Sequence, residues 1–496
     1  MPPLTNPERP PRFRELQRRS SGVLLHPTSL AGPHAIGDFG AGARAFVDFL
    51  ADAGQRWWQV LPLNPTGVGG SPYSGPSAFA GNPLLIDLVG LAEDGLLTRE
   101  ELPPACARDR VDHELAAHLR DVALRRVVAR MANMGARIQE ELDAFRRRSR
   151  GWLPGYALYT ALHRAHGGAS WTTWDRQLAR DSSAAVHARR ELAQDILRVE
   201  LEQFLFDRQW QALRSYAASR AVGIIGDIPI FVAHDSADVW EHPRLFLLDR
   251  EGQPTHVSGV PPDYFSATGQ RWGTPLYRWS ESRRSGHRWW VERFRTALSR
   301  ADLVRLDHFV GFAHYWAVWA SESTAVNGRW APGPGAELFE TVRAQLGWDA
   351  LPLIAEDLGT VTDEVIALRD RLALPGMRVL QFAFGDDGGG EEFLPHALER
   401  HCVLYTGTHD NDTAQGWYDA GGDGHREALR EYVGGPQSQR PLEPAHRELV
   451  RMAMASVANT TIIPLQDLLG LGSEARMNTP GLADGNWGWR VPAPFP

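Results

Sequence analysis

The chain has 496 residues, 43% hydrophobic and 23% charged, with a formal net charge of −8. That leaves room for an ample core, either in several domains or in one large barrel with insertions, and the acidic balance excludes a generic polyanion binder, whose affinity rests on a basic surface. Lysine is absent, so all 52 basic side chains counted as Lys or Arg are arginines, and every mechanism that needs a lysine amine is excluded, Schiff-base chemistry and the P-loop lysine included.

Residues 1–20 are rich in Pro and Arg and read as a mobile arm, without the apolar core of a signal peptide. No apolar run approaches the ~18 residues that cross a bilayer. Cys106 and Cys402 stand in no metal or redox spacing, which fits a reducing compartment and a cytoplasmic location. Short apolar runs of strand length then recur at 21–26 (SGVLLH), 56–63 (RWWQVLPL), 222–229 (VGIIGDIP), 303–309 (LVRLDHF), 352–359 (PLIAEDLG), 378–384 (RVLQFAF), 402–410 (CVLYTGTHD) and 460–467 (TTIIPLQD). Continuous runs without alternation suit parallel strands covered on both faces. Helical patterns at 40–53, 285–300, 363–372 and 444–458 separate several of them.

About eight such units predict an α/β fold, a (β/α)8 TIM barrel, rather than an open doubly wound sheet. A barrel takes about 250 residues, so the excess must be inserted. One insertion, about 64–221, opens with a Gly/Pro/Ser-rich loop and continues through two amphipathic stretches, which predicts a mostly helical subdomain between strands 2 and 3. A second, about 235–284, is rich in Pro, Gly and aromatics and reads as an ordered lid after strand 3. The barrel itself is expected over 21–496.

Several tempting signals fail. His113 and His118 lie five residues apart, ~140° around a helix, and cannot share a metal. Gly37, Gly40 and Gly42 are in the wrong order for a dinucleotide fingerprint, and Arg146, Arg147, Arg148 and Arg150 read as a solvated helix end. Of the 18 tryptophans, Trp57, Trp58, Trp289 and Trp290 are expected in the core.

The acids at strand ends are different. Asp227, Asp307, Glu356 and Asp410 each follow an apolar run. One such acid is as well explained as a helix cap; four on one barrel must converge on its C-terminal mouth. Converging carboxylates point to acid–base or nucleophilic chemistry. Arg305 and Asp307, two apart on a strand, share a face, and the nearby cation favours an ionised carboxylate. Glu356 has no basic sequence neighbour and Asp357 beside it, so its pKa should rise. An ionised and a protonated acid side by side are the retaining glycosidase pattern.

These motifs, in this order, resemble those of the α-amylase clan. The fuller resemblance is to the 4-α-glucanotransferases called amylomaltases or disproportionating enzymes, glycoside hydrolase family 77. It runs from SGVLLHPTSL at Ser21 to MNTPGLADGNWGWR at 477–490, through SPYSGPSAFAGNP, GDIPIFVAHDSADVW, GVPPDYFSATGQRWGTPLY, RLDHF, AEDLG and THDNDT. The resemblance implies transfer of α-1,4-glucan segments by retaining double displacement, with an α-1,4-glucan hydrolase as the alternative. It implies Asp307 as nucleophile, Glu356 as acid/base and Asp410 as transition-state stabiliser. Arg305, His308, His409 and Asp227 would surround the sugar, with Tyr73 beside the cleft. Asp263, Tyr264, Phe265, Gln270 and Trp272 would belong to the loop that covers it. The implied partners are maltooligosaccharides and α-1,4-glucans, with no cofactor, metal, nucleic acid or membrane, in a monomer or homodimer. Val310, His314, Thr274, Leu482 and Gly488 depart from the family's usual residues, which bears on chain length and acceptor binding. Aromatics of the loop at 259–277 would favour transfer over hydrolysis by excluding water and raising the effective concentration of the acceptor.

Overall fold

The apolar runs become strands because each is buried on both sides. In the computed structural model, which describes residues 12–106, 108–130, 135–175, 177–178, 186–262, 266–385, 390–435 and 444–492, the chain begins with β1 (Ser20–Leu24), β2 (Trp57–Gln59) and β3 (Gly223–Pro229). It leaves the barrel for β4 (His256–Val260) and β5 (Gln270–Pro275), returns for β6 (Leu303–Asp307), and leaves again for β7 (His314–Trp319) and β8 (Gly328–Pro332). β9 (Leu353–Ala355), β10 (Gly376–Val379), β11 (Cys402–Tyr405) and β12 (Thr460–Pro464) complete it.

β1, β2, β3, β6, β9, β10, β11 and β12 pair in parallel, and β12 pairs back onto β1 to close an eight-stranded barrel. The (β/α)8 expectation therefore holds. Trp57 explains two glycines beside it, through its carbonyl and Cβ at Gly22 and its indole at Gly223. A Cβ on Gly22 would sit 2.4 Å from the Trp57 Cβ, and one on Gly223 would sit 2.5 Å from the indole ring. Trp57, Trp58, Trp289 and Trp290 are all buried, as expected for core rings.

Between β2 and β3 the chain is mostly helical, ending in the 27-residue helix Ala193–Ser219. Its Phe206 and Trp210 meet Phe39 at 5.3 and 5.0 Å, and Trp210 reaches Trp58 of β2 at 6.5 Å. Those contacts seat the inserted helices against the barrel wall.

The structure corrects three expectations. The N-terminal arm does not extend to residue 20: Leu16 is buried, Arg19 donates to the Met454 carbonyl at 2.5 Å, and β1 starts at Ser20. Residues 1–11 lie outside the described residues. The sixth strand runs Gly376–Val379 rather than 378–384, because the Asp357 carboxylate packs on Gly376 and accepts the Met377 N–H at 2.7 Å; Leu380–Phe384 is already a 3-10 turn. The lid is not a loop alone. β4 and β5 pair antiparallel, and β4 also pairs with β7, which pairs with β8, giving a four-stranded sheet in the order β5-β4-β7-β8. Half of that sheet comes from a second excursion after β6.

Candidate active site

β3 and β6 run in register, with Asp227 opposite Arg305 and Pro229 opposite Asp307. The Arg305 guanidinium donates from Nη1 to both Asp227 oxygens, at 3.0 and 2.8 Å. Its Nη2 lies 2.8 Å from Asp307 Oδ1. Burial alone would lower the guanidinium, but the charges of Asp227 and Asp307 outweigh it and hold it protonated. Tyr73, from the loop after β2, donates its hydroxyl to Asp227 Oδ2 at 2.7 Å. One arginine thus ties the acids of two strands, leaving the Asp307 side chain 26% exposed toward the mouth.

Glu356 follows β9 directly and meets the same rim through the backbone. Its N–H donates to the Leu306 carbonyl, and its carbonyl accepts from Phe309 N–H, at 3.1 and 3.0 Å. Its side-chain Oε2 accepts the His308 N–H at 2.6 Å and Oε1 the Leu358 N–H at 3.0 Å. His308, the residue after Asp307, adopts a left-handed backbone with φ 53°, a conformation costly for a side chain of this size and common at active sites. Burial pushes the Glu356 pKa up and the Asp307 charge adds to it, against the opposing pull of Arg305 and the two N–H donors. Asp357, expected to contribute, points elsewhere: Arg369 donates to it at 2.7 Å and Arg378 lies 3.5 Å away. The negative neighbour of Glu356 is Asp307.

Asp410 lies in the loop after β11. Asn478 donates to its Oδ1 at 2.6 Å, and His409 Nε2 lies 3.4 Å from the same oxygen. The His409 ring stacks on Tyr73, with centroids 5.1 Å apart and planes 10° from parallel, and Trp487 lies 5.8 Å from Tyr73 and 5.9 Å from His409. Tyr73 is the point of convergence: burial raises its phenol, as do the charges of Asp227, Asp307 and Asp410, while Arg305 opposes them. Asn478 and Trp487 were not singled out in the sequence, although both lie in the Met477–Arg490 segment; an Asn and a Trp at fixed places in a Gly-rich stretch were the available signal.

The small sheet reaches the same mouth. Trp272 of β5 meets His308 edge-on at 4.8 Å, and its Nε1–H donates to Gln270 at 3.2 Å. Burial lowers the His308 imidazole to about 4 against the raising charge of Asp307, so it is neutral at pH 7. Asp263, Tyr264 and Phe265 lie outside the described residues. Of the departures, Thr274 shares a 2.5 Å hydrogen bond with Ser258, Val310 is buried, Leu482 is 61% exposed, and His314 lies 3.7 Å from Glu364. At Gly488 a Cβ would meet the Arg110 guanidinium at 2.9 Å, so an arginine from another segment fills that space. Among the described residues no cluster of three or more His, Cys, Asp or Glu is placed to hold a metal ion.

Known proteins resemble this chain along nearly its whole length. The 4-alpha-glucanotransferase from Thermus thermophilus is 49% identical over 478 residues, covering 95% of each chain. That from Synechocystis is 48% identical over 96% of this chain and 94% of its own. The solved amylomaltase from Streptococcus agalactiae, in complex with acarbose, superposes with a TM-score of 0.91 at 36% identity, covering 96% of both chains. The profile of glycoside hydrolase family 77, described as 4-alpha-glucanotransferase, matches residues 25–494, and this chain belongs to that family.

Proposed function

We propose that the protein moves α-1,4-glucan segments from a donor maltooligosaccharide or starch-type glucan to the 4-hydroxyl of an acceptor, through a covalent glucosyl-enzyme intermediate. Asp307, ion-paired to Arg305, attacks the anomeric carbon. Glu356 gives its proton to the glycosidic oxygen, and that C–O bond breaks as the Asp307 ester forms. The leaving glucan departs. Glu356, now a carboxylate held by the His308 and Leu358 N–H groups, takes the proton of the acceptor 4-hydroxyl, whose oxygen displaces Asp307 and restores the α-bond. Asp410 binds sugar hydroxyls and stabilises the oxocarbenium-like transition state. Asp227, Arg305, His308, His409 and Tyr73 line the ring being transferred, and Gln270 and Trp272 approach from the lid.

The observation that carries this reading is the asymmetry of two acids on one rim: Asp307 in contact with a guanidinium, Glu356 buried with its pKa raised. Incubation with maltotriose tests it. Transfer yields glucose plus a ladder of longer maltooligosaccharides at constant reducing ends; reducing ends rising in step with bond loss would show hydrolysis instead. Both free cysteines support a reducing, cytoplasmic setting, Cys402 being buried with its thiol pushed up to about 12. Fractionation that recovered the protein outside the cytoplasm would overturn that placement.

A further inference from the structure

Trp330 stands where the small sheet meets the catalytic rim. It is 43% exposed, although its neighbours are fixed. Pairing of β7 with β8 sets Trp330 opposite Trp316 and Pro332 opposite His314, so alternation puts His314, Trp316 and Trp330 on one face. Trp316 is pinned, with its Nε1–H donating to the Ala325 carbonyl at 2.8 Å and its indole over Gly328. Trp330 meets His314 at 4.8 Å and 84°, and Trp316 at 5.2 Å and 70°. Two edge contacts brace the indole in one orientation while much of it stays accessible from solvent.

Its position gives the ligand. Just past β8, the Gly333 N–H donates to the Ala313 carbonyl at 2.8 Å. Ala313 ends the short helix Val310–Ala313 that follows Asp307 and His308. His314 in turn lies 3.7 Å from Glu364, on the helix Asp363–Arg371 that follows β9 and Glu356. The braced ring is therefore on the Glu356 side of the mouth. Glu356 protonates the oxygen joining the transferred sugar to the leaving chain, so leaving and incoming glucans run out past this side. Trp272, on β5 of the same sheet, stands nearer, at His308.

The geometry points to Trp330, braced by His314 and Trp316, as a distal stacking platform for α-1,4-glucan on the leaving and acceptor side, reached by chains that extend past the lid. The inference rests on the glucanotransferase reading above. Trp319 supplies the control: it is 53% exposed on the opposite face of β7, where His256 lies 4.0 Å away.

The experiment compares kcat/KM for disproportionation of maltoheptaose and of maltotriose. In Trp330→Ala the maltoheptaose-to-maltotriose ratio falls about fivefold, the scale of one lost aromatic contact. Trp330→Phe keeps the ratio and Trp319→Ala does not move it. Trp330→Gln reads the same ratio should the alanine variant fold poorly. A ratio unchanged in Trp330→Ala or →Gln, or lowered as much by Trp319→Ala, overturns the platform while leaving the functional reading intact. Failure of the unsubstituted enzyme to build any ladder overturns that reading, and the platform with it.

Discussion

The β3 and β6 side of the rim and its β9 side hold their carboxylates in different ways. At β3 and β6 both acids touch one guanidinium, Asp227 through two hydrogen bonds and Asp307 at 2.8 Å. At β9 two adjacent acids diverge. Asp357 is tied to Arg369 and accepts the Met377 N–H, each at 2.7 Å, whereas Glu356 is held by backbone N–H groups and forms no ion pair among the described residues. At β3 the Arg305 guanidinium opposes the burial that raises the Asp227 pKa, whereas at β9 burial, with the Asp307 charge, pushes Glu356 up against Arg305 and its two N–H donors. The acid proposed to give and take a proton is the one without an ion pair among the described residues.

The harshest way to break this contrast is at Asp307. Asp307→Asn keeps volume and removes the proposed nucleophile, and glucose release from maltotriose is expected to fall by at least about 10⁴-fold. A loss of only a few-fold would place the nucleophile elsewhere.

Glu356→Gln tests the proton-carrying side, where general acid catalysis contributes about 10²–10⁴-fold. The sign of the pH effect follows from the raised pKa: Glu356 is protonated below it, so kcat/KM of the unsubstituted enzyme falls as pH rises through it. That alkaline limb should vanish in the glutamine variant. A limb that survives belongs to another group.

Arg369→Leu sharpens the contrast between the neighbours. It leaves Asp357 buried without its closest cation, at a cost of about 3 kcal/mol in stability, read by denaturant unfolding. The alkaline limb should stay where it is, because Asp357 is not the charge that acts on Glu356. Movement of the limb would return Asp357 to the role its place in the sequence first gave it.

That reversal marks how much the sequence disclosed. The barrel was legible because its strands are continuous apolar runs, and the Arg305–Asp307 contact because a spacing of two puts side chains on one face. The fate of Asp357 was not, since Arg369 reaches it from twelve residues on, across a turn of chain that only folding closes. β7 and β8, both in the excursion after β6, were missed as well: β7 pairs antiparallel with β4 of the other excursion, and that contact leaves no local period to read. Asn478 and Trp487 reach Asp410 and His409 from the far end of the chain, so their segment was visible as a resemblance while their contacts were not.

The smallest effect isolates a single hydroxyl on the β3 side. Tyr73→Phe keeps the ring that stacks on His409 at 5.1 Å and removes the donor to Asp227. A hydrogen bond to a charged group is worth enough that its loss should lower kcat/KM by about tenfold. Arg305 still holds Asp227 at two points, so the loss should stay well short of that in Tyr73→Ala, where the stacked ring goes too. Equal losses in the two variants would mean that the hydroxyl carries the whole contribution and that the stack on His409 adds nothing to catalysis.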